Sequence, residues 1–277
     1  MDKVYLQTYS LGRAMMEDFQ GSLKKIADIG YAGVEFAGGY GGMTAPELKA
    51  YLEELGLEAI SSHVGLDKVE GDLEFLEAIG ASYVICPATS LNTYEEVMEK
   101  ATEMNRLGKK AAEHGLKFGY HNHTQEFAKL NDAYTLEVLM EATDPAYVMF
   151  QLDVGWATCA GIDVPAFLKK HSGRIQLIHV KETDTVTGVQ KPMDFSKFAK
   201  DENGRPIIPQ EVKDEMARVQ RTNCPTGAGI IDWQNIYDVA KANGARAYIV
   251  EREYDYKGGD IFGCVAEDLA HLKTIKA

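Results

Sequence analysis

Short apolar runs rich in β-branched and aromatic residues recur along the chain. Between them, apolar positions return every three or four residues. The short runs read as strands: Val4–Ser10, Gly33–Phe36, Glu58–His63, Tyr83–Cys86, Lys117–His123, Val148–Asp153, Ile175–Lys181 and Ala247–Glu251. The longer stretches read as amphipathic helices over Pro46–Leu55, Tyr94–His114, Ala133–Ala142, Val164–His171, Trp233–Ala242 and Cys264–Lys273. Thr44 with Glu47 marks one helix start. Gly30, Gly56, Gly80, Gly115, Gly173 and Gly244 each fall where a helical pattern stops and the next strand is about to begin.

Strands separated by helices pair in parallel, with right-handed crossovers. Eight strand-helix units of about 35 residues each predict an α/β fold, a (β/α)8 TIM barrel forming one domain over residues 1–277. A doubly wound open sheet is the alternative. Against it, no Gly-x-Gly-x-x-Gly turn follows the first strand, and Gly38–Gly42 after the second reads as a flexible loop. One long insertion, Glu182–Cys224, follows the seventh strand. It is polar and carries Pro192, Pro206 and Pro209, as a lid or an oligomer contact would.

The strands are apolar until their last residues, where chemistry-bearing side chains recur. Glu35 ends the second strand, His63 the third, His121 and His123 the fifth, Asp153 the sixth, His179 with Lys181 the seventh and Glu251 the eighth. In a parallel barrel these ends converge on one mouth, the face where barrel active sites form. Taken singly, each has an ordinary reading as a satisfied or solvated side chain. Together they are expensive to bury unless they pair or bind a cation. Imidazoles and carboxylates without thiolates suit Mn²⁺ first, with Zn²⁺, Co²⁺ or Mg²⁺ as alternatives. Alternation puts His121 and His123 on one face of the fifth strand and Tyr120 and Asn122 on the other. One of the two histidines can bind metal while the other handles protons.

Composition narrows the field. Of 277 residues 45% are hydrophobic, which excludes a disordered chain, and the net charge of −13 argues against non-specific binding to nucleic acid or an anionic membrane surface. No apolar run reaches the roughly 18–20 residues that span a bilayer, and the amino terminus has no signal-peptide pattern, so a cytoplasmic location is expected. Cys86, Cys159, Cys224 and Cys264 have no metal or redox spacing. Cys159 reads as a small buried apolar residue.

With these residues in order, the chain resembles the sugar phosphate isomerase/epimerase family of xylose-isomerase-like barrels. The resemblance spans nearly the whole chain. It rests on Gly33-Val-Glu35-Phe, Ser62-His63, Tyr120-His-Asn-His-Thr-Gln-Glu-Phe127, Gln151-Leu-Asp153-Val-Gly-Trp156, Ile178-His179-Val-Lys181, Gly227-Ala-Gly-Ile-Ile-Asp232-Trp233 and Val250-Glu251. The family holds one divalent metal with Glu, Asp, His and a second Glu. Carried over, the ligands are Asp153, His179, Glu251 and, where many relatives have Glu, His121. That departure removes one member of the family's glutamate acid/base pair. Glu251 is left, with His123 as the second proton-transfer group and Lys181 to hold a substrate oxygen.

The resemblance implies a metal-dependent isomerase or epimerase of a sugar, keto-sugar or inosose, working through an enediolate. The hydroxyls would be held by Glu35, His63, Asn122 and Trp156, and Tyr9 or Trp156 would stack on the ring or simply pack. A lyase using the same enolisation, such as an inosose dehydratase or a cleaver of oxidised glycosides, is the alternative. The family's endonuclease branch needs more ligands and a DNA-binding surface than this acidic chain offers. A barrel that binds sugar without catalysis would carry no metal. Gly227-Ala-Gly229 ahead of the Asp232 cap reads as a tight turn or a phosphate loop.

Overall fold

The computed structural model describes residues 1, 3–190, 198–199, 207–254 and 256–276. Eight parallel strands close into a barrel in chain order: Tyr5–Gln7, Gly33–Ala37, Glu58–His63, Tyr83–Cys86, Lys117–His121, Val148–Asp153, Ile175–Val180 and Ala247–Val250. The first strand pairs with both neighbours, Tyr5 facing Gly33 on one side and Ile249 on the other, so no edge is left open. The protein is therefore a (β/α)8 barrel with helices outside.

Alternation along the strands builds the interior in layers. Tyr5, Tyr83, Ile85, Met149, Leu177, Ala247 and Ile249 form an apolar plug at the amino-terminal end. Two residues further along the same strands come Gln7, Gln151, His179 and Glu251, all buried. The interior thus changes from apolar to ionisable within one period of the pleat. The large apolar cluster, including Leu6, Val34, Phe36, Phe118 and Leu152, lies between the strands and the helices.

The helices carry their own start and stop signals. Thr44 and Glu47 form a capping box before Ala45–Leu55, Thr93 accepts from the Glu96 amide before Tyr94–Glu113, and Asp232 accepts from the Asn235 amide before Trp233–Ala242. Gly56 ends its helix in the left-handed conformation at φ 67°, which side chains disfavour. The helix expected over Cys264–Lys273 starts earlier, at Ile261, because Asp260 caps it. The one expected over Ala133–Ala142 starts at Thr135, after Ala133–Tyr134 pairs with Lys129–Leu130.

Four strands are shorter at the mouth than their apolar pattern suggests, the eighth stopping at Val250, one residue before Glu251. The first stops at Gln7, whose side chain accepts from the Tyr9 amide and turns Thr8–Leu11 into a 3₁₀ helix. The fifth stops at His121, after which the His123 amide donates to the Glu126 carboxylate at 2.8 Å instead of to a neighbouring strand. The seventh stops at Val180, one residue before Lys181.

The insertion has a defined neck: Glu182–Thr183 pairs antiparallel with Asn223–Cys224. Within it, Gln210–Gln220 is helical and begins after Pro209. Pro192 and Pro206 lie outside the described residues.

Arg252, just past the eighth strand, is fully buried. Its guanidinium lies 2.9 and 3.1 Å from the two Asp268 oxygens on the last helix, and its amide donates to Ser10 Oγ. This pair ties the mouth to the outer layer. Asp268→Ala removes the carboxylate that faces this buried guanidinium and is expected to lower unfolding free energy by about 3–5 kcal/mol. Urea unfolding followed by circular dichroism checks this, and a change under about 1 kcal/mol would show that the pair does not hold the layers together.

Candidate metal centre and active site

The lowest polar layer is organised around Glu35. This carboxylate has no solvent exposure. Oε1 accepts from Gln7 Nε2 at 2.7 Å, and Oε2 accepts from Ser61 Oγ at 2.5 Å and Gln151 Nε2 at 2.7 Å. His179 Nε2 lies 2.6 Å from Oε1, and His63 Nε2 lies 3.1 Å from it. Burial opposes the charge, but the imidazoles of His63 and His179 outweigh it and hold Glu35 well below the usual carboxylate range.

These contacts orient the rings above. With Nε2–H of His179 donated to Glu35, its Nδ1 points upward, 3.1 Å from Glu251 Oε2 and 3.9 Å from Asp153 Oδ2. Gln151 Oε1 lies 3.0 Å from His121 Nδ1 and 2.8 Å from His63 Nε2. If Nδ1 of His121 carries the proton, Nε2 keeps its lone pair. A carboxylate or amide behind each imidazole is the usual support for a metal-ligating histidine.

The expected ligands meet here. His121, Asp153, His179 and Glu251 are all buried, and each offers a donor atom within 4.8 Å of the others. His63, His121 and His179 form a second such group, with the His63 and His179 rings parallel at 5.4 Å. Asp153 supplies the most informative atom. Its Oδ1 caps the helix Val154–Cys159 by accepting from the Trp156 amide at 2.8 Å. Its Oδ2 is buried with no hydrogen-bond partner. Such an orphaned atom among two imidazoles and a second carboxylate fits a divalent cation.

The charges respond to that crowding. Burial, reinforced by Glu251, pushes Asp153 up to about 7 despite Lys181 and His179. Burial works against the His179 imidazolium, but Glu35 and Glu251 raise it to about 10. Burial raises Glu251, but Lys181 and His179 hold it well below the carboxylate range. Burial and the neighbouring imidazoles of His179, His123 and His63 hold His121 well below its usual value, and Glu251 offsets them only in part.

Lys181 lies over the Trp156 ring at 4.3 Å, with its ammonium 3.0 Å from both Glu251 and Glu253. Glu253 gives Lys181 a second anion besides the cluster. His123 sits beside His121, ring centroids 5.0 Å apart, and its Nδ1 is buried without a partner. Burial pushes its pKa down. A cavity of about 290 Å³ opens above, near the lower limit of about 300 Å³ for small-molecule pockets. It is lined by Tyr9, His63, His121, His123, Glu251 and Glu253 among others.

Two expected substrate contacts are placed elsewhere. Asn122 faces away from the mouth: Oδ1 accepts from the Asp153 amide and Nδ2 donates to the His123 carbonyl. Alternation already put it opposite the histidines. Glu35 lies beneath the cluster with both oxygens committed. His63 and Trp156 remain within the site, Trp156 under Lys181 and 6.0 Å from His123. Cys159 lies outside it, buried against Thr183 and Thr222. The Gly227–Gly229 turn is filled by the protein's own carboxylate. Glu182 accepts from the amides of Gly227 and Ile231 and from Trp233 Nε1, and a Cβ at Gly229 would strike it.

Among the residues not anticipated, Gln7, Ser61 and Gln151 support Glu35, Glu126 holds the loop of His123, and Glu253 faces Lys181. Their types are too common to stand out, although Gln7 and Gln151 are polar at the inward-facing phase of apolar strands.

A parallel barrel whose carboxy-terminal mouth holds a buried two-histidine, two-carboxylate cluster defines a class of metal-site barrels. The chain belongs to the xylose isomerase-like TIM barrel family, whose profile matches residues 23–275. A sugar phosphate isomerase/epimerase from Parabacteroides distasonis superposes with a TM-score of 0.77 at 23% identity, over 99% of this chain and 96% of that one. The IolI protein with a bound zinc atom gives 0.72 at 13% identity, over 99% and 97%. An inosose dehydratase from Bacillus anthracis is 29% identical over 165 residues, 59% of this chain and 49% of that protein. The chain thus spans about half the length of the curated relatives it matches. Among the described residues, no helix is long and apolar enough to cross a membrane.

Asp153→Asn and His179→Ala are each expected to abolish stoichiometric metal uptake, and Glu35→Gln to weaken it by about 10–100-fold. Equilibrium dialysis followed by mass spectrometry of bound Mn²⁺ or Zn²⁺ reads this. A variant that keeps wild-type metal content removes its residue from the ligand set.

Proposed function

We propose that this chain is a divalent-metal-dependent isomerase or epimerase of a sugar, keto-sugar or inosose that works through an enediolate. The observation that carries the reading is Asp153 Oδ2, orphaned and buried where His121, His179 and Glu251 also offer donors. Those four residues would hold the ion, with Mn²⁺ the first choice and Zn²⁺, Co²⁺ or Mg²⁺ the alternatives. The bound ion would supply Lewis acidity, polarising the carbonyl of a hydroxy-ketone and acidifying the adjacent C–H.

The chain's own residues do the rest. Glu251 is held ionised by Lys181 and can remove the acidified proton. His123 is kept neutral by burial, so one ring nitrogen has a lone pair for the same task from another direction. Returning the proton to the neighbouring carbon isomerises, and returning it to the opposite face epimerises. Lys181 brings a cation, kept charged by Glu251 and Glu253, toward the developing enediolate oxygen. His63 and Trp156 border the space for the ring.

A lyase is the second reading. His121 stands where a two-glutamate pair would place its other base, which leaves the two proton-transfer groups chemically unlike. That asymmetry suits expulsion of a β-hydroxyl from the same enediolate, with His123 taking up the C–H proton and then giving it to the leaving oxygen, which departs as water.

Keto-sugars and inososes incubated with metal-loaded protein in D₂O should show C–H to C–D exchange by proton NMR, even without net conversion. His123→Ala should slow exchange by about 10²-fold or more with metal content unchanged. Loss of metal in His123→Ala would exchange the roles of His121 and His123. Absence of exchange across the panel would refute enolisation.

A further inference from the structure

Beside the metal-site cavity lies a second, about 580 Å³ and twice its volume. Tyr9, Ala37 and Gly38 line both, so the two share a wall and open on the same face of the barrel. The inner space is the size of one small molecule, which leaves the outer one for something attached to it.

The outer cavity is apolar in an unusual way. Tyr9 is 59% exposed and Met16 is 81% exposed, although both are large hydrophobic residues beside the smaller cavity. Phe19 forms the far wall, stacked on Phe36 with centroids 6.2 Å apart, and Gly41 lies so close to the Phe19 ring that a Cβ would strike it. Gly38 and Gly39 are floor residues, and a Cβ on either would stand in open space. A flat group can therefore lie against bare backbone. The polar side chains nearby have partners of their own at the rim. Thr8 Oγ1 accepts from the Ala37 amide at 2.9 Å, and Arg13 pairs with Glu17 at 2.5 Å. Tyrosine, methionine and phenylalanine together favour an aromatic guest, through stacking and sulfur–ring contacts. Tyr9 faces both spaces, since it lines both cavities.

We propose that the second cavity is an aglycone subsite and that the substrate is an aryl glycoside, its sugar at the metal centre and its aromatic group between Tyr9, Met16 and Phe19. The inference rests on the keto-sugar reading for the sugar half and adds the group that the sugar carries.

The test compares methyl and 4-nitrophenyl 3-keto-β-D-glucopyranoside on the metal-loaded full chain. Titration calorimetry gives the dissociation constants, and NMR in D₂O gives C–H exchange. The aryl glycoside should bind at least about tenfold tighter, and Met16→Asp should remove that advantage while leaving the methyl glycoside's affinity unchanged. Exchange with both glycosides but equal affinities would overturn the subsite and leave the enolising function standing. An aryl preference that survives Met16→Asp would also overturn it, by placing the aromatic group elsewhere. An aryl preference lost in Met16→Asp, without exchange of either compound, would support the subsite and refute the function. No binding of either would overturn both.

Discussion

The rest of this site depends on one buried carboxylate. Glu35 has no contact with water, so its charge must be met by hydrogen bonds or not exist. Gln7, Ser61, His63, Gln151 and His179 meet it from the first, third, sixth and seventh strands. Five side chains converging on two oxygens fix the relative heights of those strands. They also fix which nitrogen of His179 faces the mouth. Gln151 passes the same constraint to His121. The apolar plug below keeps water out and so keeps these interactions strong.

Above that layer the balance is deliberately incomplete. Asp153 caps a helix with one oxygen and leaves the other without a hydrogen bond, 3.7 Å from the Lys181 ammonium, and Asp153 and Glu251 sit close enough to perturb one another. A fold selected only for stability would not keep such a pair in its interior. Lys181 offsets part of the repulsion, and Glu253 anchors Lys181. Glu253 is itself placed by the insertion: Asn223 in the neck accepts from the amides of Glu253 and Tyr254 and donates to the Glu182 carbonyl. The neck of the insertion is thereby wired to the loop that carries the last acids of the mouth.

How much of this was legible in the sequence follows from the physics of each part. All eight strands were readable because barrel strands are apolar on both faces for most of their length. Strand ends were less so. Gln7 folds back on the Tyr9 amide and Glu126 captures the His123 amide, and neither contact has a periodic signature. His121, Asp153, His179 and Glu251 stood out as ionisable residues closing apolar runs. Gln7, Ser61 and Gln151 did not, because only barrel closure brings them to Glu35. Asn122 was misleading by its position next to two histidines, although its alternation phase pointed it outward.

The central claim is that this cluster is a cation site built by His121, Asp153, His179 and Glu251. Anomalous diffraction at the manganese or zinc edge, from crystals of metal-loaded protein, tests it most directly. The account predicts one strong peak among the four residues, with His179 Nδ1 and Asp153 Oδ2 in its coordination sphere. A cluster without a peak at saturating metal, or a sole peak elsewhere in the chain, would contradict it.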